Sequence, residues 1–245
     1  MTTKFAQVLI GPAGSGKSTY ISTCVKYFNT IQRNVHCVNL DPAAGILPYT
    51  PDIDVRNVIN YSNIMKKLEY GPNGALIFCM EQITSRQSNW FHDAIGDHEY
   101  DYLLIDFPGQ IELFSHLDIL SDLMNVLIQK DYHVIILYLM DAQFMTEPAK
   151  FLSGSLVALS TMTMLEIPHL NIISKCDLIP EEQKRDLDIY TEMDYEILAD
   201  EIKDPSENLK KLTRAICDVF DMFRIVQWHT FDSSKDDEII ELQAE

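Results

Sequence analysis

A three-layer α/β fold with a mainly parallel central sheet is the architecture this sequence predicts, and three observations carry it. Short apolar runs such as Tyr102 to Asp106 and His133 to Leu139 lack the polar alternation of a half-exposed strand, which suits central parallel strands covered on both faces. These runs alternate with helical stretches along the chain. The first run, Ala6 to Ile10, leads directly into Gly11-Pro12-Ala13-Gly14-Ser15-Gly16-Lys17-Ser18-Thr19, a glycine-rich phosphate-binding pattern set between strand and helix. Crossovers in such a fold are right-handed, and ligands bind beyond the C-terminal ends of the strands. The loops after positions 10, 40, 106, 140 and 173 are therefore expected to converge. One domain, 1–245, is expected, with a helical insertion near 60–96.

Taken in order, a helix is expected from Lys17 to about Gln32 and a second strand from Val35 to Leu40, ending at Asp41-Pro42. Pro48 and Pro51 keep the next stretch irregular, and Asp52 or Asp54 can cap a short helix near 54–59. A segment near 62–68 precedes Gly71-Pro72-Asn73-Gly74, which reads as a turn. One helix is expected from about 75 to 95. After the strand at 102–106, residues 111–128 read as helix, and Asp141 stands just past the strand at 133–139. Pro148 can start a helix reaching about Leu165. Met162 and Met164 in it are expected to pack rather than to bind a ligand. A strand at 170–173 precedes a charged region, with one helix near 189–203 and a loop around Pro205. A helix from Leu209 to Phe223, a last strand from Ile225 to Trp228 and a short tail helix near 235–245 complete the chain.

The net charge is −18, from 37 acidic and 19 basic residues. That balance repels nucleic acid over most of the surface, so no direct nucleic-acid contact is expected. No run approaches the ~20 apolar residues that span a bilayer, and no secretory leader is expected. Five cysteines, at 24, 37, 79, 176 and 217, sit in mostly apolar surroundings without metal-ligand spacing, and read as buried thiols of a reducing compartment.

The glycines at 11–16 let the backbone turn its N–H groups onto phosphate oxygens, at the N-terminus of the following helix. Residues Gly11, Pro12, Ala13, Gly14, Ser15, Gly16, Lys17, Ser18 and Thr19 are thus assigned to a nucleotide, with Lys17 reaching the β/γ-phosphates and Ser18 offering its hydroxyl to Mg²⁺. Asp106, after a buried strand, stands where a nucleoside triphosphatase places its second magnesium-site carboxylate. Gly109 lets a backbone N–H approach the γ-phosphate, and the Gln110 amide can orient an attacking water because it both donates and accepts. Glu112 either assists that orientation or caps the helix. Asp41 either faces the magnesium and its water shell or serves the turn before Pro42. Asp54 and Arg56 read as a surface ion pair. Lys175 can lay its stem over a purine, and Asp177 can accept from guanine N1–H and N2–H₂, donors that adenine lacks in that arrangement. Asp232-Ser233-Ser234-Lys235 either closes over the base or forms a plain turn. Asn73 is a rigid amide at a turn tip that can meet a phosphate, with nothing in the spacing to say whose.

Together these elements resemble the GPN-loop GTPases: Gly-Pro-Ala-Gly-Ser-Gly-Lys-Ser-Thr at 11–19, Asn-Leu-Asp-Pro-Ala at 39–43, Gly-Pro-Asn-Gly at 71–74, Asp-Phe-Pro-Gly-Gln-Ile-Glu-Leu at 106–113 and Ser-Lys-Cys-Asp-Leu at 174–178. Residues 38–44 and 212–217 look most like the third eukaryotic paralogue. The resemblance implies a homodimer, or a heterodimer with another GPN-loop GTPase, in which Asn73 reaches the partner's nucleotide site. It implies that Asp41, Gln110 and Glu112 belong to the magnesium and water-positioning environment. It further implies GTP hydrolysed to GDP with Mg²⁺, and service to RNA polymerase II subunits or assembly factors, in a cytoplasmic protein that shuttles to the nucleus. Ser174 stands where many GTPases have asparagine, and Phe107 replaces the usual cysteine. The terminal helix and acidic tail common in relatives are expected to be shortened.

Two other classes share the phosphate loop. A nucleotide or small-molecule kinase needs a basic lid over its acceptor, whereas 180–205 is net acidic. A nucleotide-bound assembly adaptor with little turnover is distinguished by its rate alone.

Overall fold

The computed structural model describes residues 3–84, 90–96, 101–115, 118–191, 195–202, 206–223 and 226–244. Backbone contacts divide the chain into two compact units, Met1–Leu137 with Ile167–His169, and Tyr138–Glu166 with Leu170–Glu245.

The first unit begins with β1 (Lys4–Ile10), the phosphate loop and α1 (Lys17–Thr30), followed by β2 (His36–Asn39) and the two-residue β3 (Ile53–Asp54). The short helix expected near 54–59 is a 3₁₀ turn, Val55–Asn57, capped by the Asp54 carboxylate, which accepts from the Arg56 N–H. Three helices come next: α2 (Tyr61–Leu68), α3 (Pro72–Thr84) and α4 (Trp90–Ile95). Then follow β4 (Tyr102–Asp106), α5 (Ile111–Ser115), α6 (Ile119–Gln129) and β5 (Tyr132–Asp141), of which the unit holds the part to Leu137. The strand order here is β3-β2-β4-β1-β5. β4 runs parallel to both β1 and β2, pairing Leu9 with Asp106 on one side and Asn39 with Asp106 on the other. This register brings the ends of three strands together, because parallel neighbours all finish on one edge. Val8, Leu9, Ile10, Leu103, Leu104 and Ile105 are fully buried, which explains their unbroken apolar character.

The second unit continues with the end of β5, α7 (Ala142–Met145), α8 (Pro148–Leu165) and β6 (His169–Ser174). It is completed by α9 (Glu181–Thr191), α10 (Tyr195–Glu201), α11 (Glu207–Phe223), β7 (Trp228–Thr230) and α12 (Asp236–Ala244). Strand order is β5-β6-β7, with β7 parallel to β6. Trp228 fills its core, donating its indole N–H to Ser155 Oγ at 3.0 Å and packing on the rings of Tyr138 and Phe151. Met140 and Met145 close against Gly154 as packing groups, and in α8 the Met162 sulfur accepts from the Asn171 amide.

Several boundaries differ from the sequence reading. Gly71-Pro72-Asn73-Gly74 is not a free turn. Pro72 opens α3, where its fixed φ and missing N–H suit the first helical position. The helix expected at 75–95 starts earlier, at Pro72, as α3, and residues 90–95 are helical as α4, with 85–89 outside the described residues. In the stretch at 111–128, α5 and α6 are distinct, Asp118 standing before α6 as its cap residue. In the charged region α9 already begins at Glu181, ahead of the helix start expected near 189, and α10 covers Tyr195–Glu201; residues 192–194 and the loop around Pro205 lie outside the described residues. Asp141 is the last residue of β5 rather than past it, and caps α7 by accepting from the Gln143 N–H. The last strand sits at 228–230, three residues later than its predicted start at 225. All five cysteines are buried thiols, as expected. Among the described residues no helix is long and apolar enough to cross a membrane.

Candidate nucleotide site

Gly11, Gly14 and Gly16 all have positive φ (134°, 79° and 89°), the left-handed region that side chains resist, so the loop can curl its N–H groups inward only with glycine there. Lys17 is the first residue of α1 and is buried. Its Nζ donates to the carbonyls of Gly11 at 2.8 Å and Pro12 at 3.0 Å, so the ammonium sits inside the loop. Burial pulls its pKa below that of an ordinary lysine, while the carboxylates of Asp106 and Asp41 pull it back up. Ser15 is buried within the loop; Pro12 is half-buried, and Ala13, Gly14 and Thr19 are exposed.

Asp106 ends β4 and is 3% exposed. Its Oδ2 accepts from the Ser18 hydroxyl at 2.7 Å and from the Tyr49 hydroxyl at 3.0 Å. Burial raises its pKa; Ser18, Lys17 and Tyr49 act in the opposite direction. The Asp106 backbone is used as well, since its carbonyl accepts from the Leu40 N–H. Phe107, fully buried, donates its N–H to the Leu9 carbonyl. Magnesium favours hard oxygen donors, and a serine hydroxyl bonded to a carboxylate at the end of the phosphate loop is a donor set of that chemistry. The residues fit the ion: Ser18 and Asp106 would hold it, with Asp41 as a second carboxylate candidate.

Asp41 is held by an arrangement that sequence reasoning missed. The fully buried Asn39 accepts from the Asp41 N–H at 3.1 Å and donates to the Asp41 carbonyl at 3.3 Å. The same amide donates to Asp54 Oδ1 at 2.9 Å. Arg56 forks onto both Asp54 oxygens and extends Nη1 to the carbonyls of Ala44 and Gly45. Asp54 and Arg56 are therefore not a surface ion pair. They brace the 41–45 loop, which fits the planar, multi-donor guanidinium. Burial raises the pKa of Asp54, but hydrogen bonds from Arg56 and Asn39 outweigh it and hold it below the usual carboxylate value. Asp41 accepts from the Ala43 N–H at 2.8 Å, so it does serve the turn; burial nevertheless leaves its pKa raised. The spacing Asn39, Asp54, Arg56 carried a signal only in hindsight of β3, which pairs with β2 and brings them together.

Gly109 packs on the phosphate loop so closely that a Cβ there would lie 2.6 Å from Ala13 Cα and 2.7 Å from its N. Gln110 is half-buried and its carbonyl accepts from the Leu113 N–H; Glu112 is exposed in the first turn of α5. Asn73 is exposed in the first turn of α3, and Tyr61 in α2 donates its hydroxyl to the Pro72 carbonyl.

In the second unit, Lys175 has a left-handed backbone (φ 61°) and donates Nζ to Asp141 Oδ2 at 2.7 Å. Asp177 is exposed in the 3₁₀ turn Cys176–Leu178. Ser174, in the place of an asparagine, is buried and donates to the Met140 carbonyl, tying β6 to β5. Asp232 is buried and accepts from both the N–H and the hydroxyl of Ser234, while its own N–H donates to Glu238, so 232–235 is a turn anchored to α12.

A desolvated lysine inside a positive-φ glycine loop, backed by a hydroxyl–carboxylate pair, has one ready use: to hold the phosphates of a magnesium nucleotide. In fold and site this is a P-loop nucleoside-triphosphate-binding protein. A family model described as "Conserved hypothetical ATP binding protein" matches residues 9–243. The chain is 41% identical over 240 residues to GPN-loop GTPase 3 of Danio rerio, covering 96% of this chain and 84% of that one. It is 38% identical over 231 residues to GPN-loop GTPase 3 of Dictyostelium discoideum, covering 94% and 81%. A crystal structure of a GTPase in apo form from Pyrococcus abyssi superimposes with a TM-score of 0.85 at 28% identity, covering 100% of this chain and 96% of that one. The chain belongs to the GPN-loop GTPase family, and the Danio rerio and Dictyostelium discoideum relatives it closely matches are of the third type.

Proposed function

We propose that this chain hydrolyses GTP to GDP and phosphate with Mg²⁺, acting as one domain in a dimer with a second GPN-loop GTPase subunit. The observation that carries the reading is the Asp106 carboxylate accepting the Ser18 hydroxyl at the end of the loop that holds Lys17. Kinship with proteins named GPN-loop GTPase 3 supports guanine over the adenine in the family model's description.

Magnesium, when bound, offsets charge on the transferring phosphoryl group. The protein does the rest by positioning. The loop N–H groups and Lys17 receive the phosphates, and an anionic acceptor suits a desolvated ammonium better than the two neutral carbonyls it now faces. Gly109 fixes the backbone against Ala13 and so sets where the Gln110 amide can hold a water. Asp41, braced through Asn39, and Glu112 in the next turn belong to the same water-positioning environment. Asp177 supplies the carboxylate that selects guanine, and Lys175, oriented by Asp141, supplies the stem that covers a purine. Asn73, exposed on a helix start, completes the partner's site. Hydrolysis then times release of a client in RNA polymerase II assembly and nuclear import, in a cytoplasmic protein that shuttles to the nucleus. Retention of the polymerase's subunits in the cytoplasm after depletion of this chain tests that role. Exposed Glu181 and Glu182 in the acidic α9 speak against the basic lid of a kinase.

The test is a mixed dimer carrying Gln110→Ala in one subunit and Asn73→Ala in the other. It keeps one intact site and hydrolyses GTP, whereas subunits carrying both substitutions, paired together, do not. Equal turnover in the two arrangements removes either Gln110 or trans action by Asn73 from the mechanism.

A further inference from the structure

The Asp106 carboxylate has two hydroxyl donors on one oxygen. Ser18 is expected from the loop motif. Tyr49 is not: it lies 57 residues away in sequence, in an irregular stretch, and nothing in the family's motifs assigned it a role. We propose that Tyr49 is a positioning residue that sets the orientation of Asp106 toward Mg²⁺, so that the ion's grip on the nucleotide depends on the Tyr49 hydroxyl.

The geometry supports this from both ends of the contact. Tyr49 is 9% exposed, and its hydroxyl donates at 3.0 Å to the same Oδ2 that faces Ser18. A carboxylate held by one hydrogen bond can still rotate about its Cβ–Cγ bond; a second donor from another direction removes that freedom. Tyr49 is itself held. On one side the Ser22 hydroxyl of α1 donates to the Pro48 carbonyl at 3.1 Å. On the other, Asp52 exchanges hydrogen bonds with Cys37 of β2, its N–H donating to the Cys37 carbonyl and its Oδ2 accepting from the Cys37 N–H. The segment that carries Tyr49 is thus tied to α1 on one side and to β2 on the other, which limits how far its hydroxyl can move. The contact also ties the segment after Asp41 to the carboxylate that ends β4. The loop that carries Asp41 is therefore secured twice, by Arg56 near its start and by Tyr49 near its end.

The inference rests on the proposed magnesium-nucleotide site, and the experiment separates the two. Tyr49→Phe keeps the ring and removes only the hydroxyl. GDP carrying a fluorescent N-methylanthraniloyl group is bound to wild-type and variant protein, first in EDTA and then across a Mg²⁺ titration, with unfolding temperatures of both recorded. In EDTA the affinities should match. With Mg²⁺, the variant should need roughly tenfold more ion for half-maximal slowing of nucleotide release, the loss expected for one hydrogen bond to a charged group. An unchanged Mg²⁺ requirement overturns the role of Tyr49, and so does an equal loss of affinity with and without the ion, which would mark the tyrosine as structural. Wild-type protein whose nucleotide release ignores Mg²⁺ overturns the reading of the site, and this inference with it.

Discussion

Replacing Gly109 by alanine adds one methyl group, at the point where two functional segments touch. The added Cβ would stand 2.6 Å from Ala13 Cα, 2.7 Å from Ala13 N and 3.1 Å from Ala13 Cβ. Ordinary carbon–carbon contact is ~3.5–4.0 Å, so one segment must retreat by about 1 Å. The neighbours are backbone, not the end of a flexible side chain, and overpacking of this kind costs about 1–3 kcal/mol. For a chain of this length each kcal/mol lowers the unfolding temperature by ~2–4 °C, which gives a drop of roughly 2–12 °C. The direction of retreat decides the functional outcome. The loop is anchored by β1, by α1 and by the two bonds from Lys17 to its carbonyls. Residues 108–110, beyond the buried Phe107, form a short loop that leads into α5. The second segment should therefore yield, carrying Gln110 with it. A misplacement of about 1 Å in a positioning group costs ~100-fold in rate, so single-turnover GTP hydrolysis should slow by about two orders of magnitude. Fluorescent GDP should bind with little change, because the phosphate loop has not moved. Wild-type turnover together with a wild-type melting curve would refute the argument from contact. A large loss of GDP affinity with turnover preserved would show that the loop, not Gln110, gave way.

Two further outcomes follow from the carboxylates. Asp177→Ala should lose its preference for GTP over ATP in competition binding while magnesium dependence stays; a preference that survives would place guanine recognition elsewhere. Asp106→Asn should abolish Mg²⁺-dependent stabilisation by GDP. The nucleotide-free variant should nevertheless melt no lower than wild type at neutral pH, since the amide oxygen still accepts from Ser18 and Tyr49 while a buried charge is gone. The sign follows from burial holding the Asp106 pKa above its ordinary 3.8 in the folded state. A raised folded value means stability that is present below that ordinary value and is lost as pH rises through the raised one. The advantage of the variant, read by thermal unfolding, should therefore shrink as pH falls toward about 4. An advantage that grows on acidification would contradict the burial argument.

Motif-bearing parts of this protein were legible because their signals are local. The loop at 11–18, the strand at 102–106 and the proline-led helix at 148–165 are each specified by residues adjacent in the chain. Apolar runs without alternation betray buried strands whatever their neighbours are. Pro72 was misplaced for a related reason: Gly-Pro-Asn-Gly satisfies the preferences of a turn and of a helix start equally, and only the packing of α3 on α2 separates them.

By itself, then, the sequence determined a parallel α/β chain with a phosphate loop, a carboxylate at the end of a buried strand and the marks of the GPN-loop GTPases, because glycine and apolar patterns act over a few residues. Only the tertiary structure decided how the carboxylates are held. Tyr49 meets Asp106 across 57 residues, and Asn39 reaches Asp54 across 15. Those contacts depend on parallel register, which places strand ends side by side after crossovers of unpredictable length. The same register turned Arg56 from a surface charge into the brace of the loop that carries Asp41.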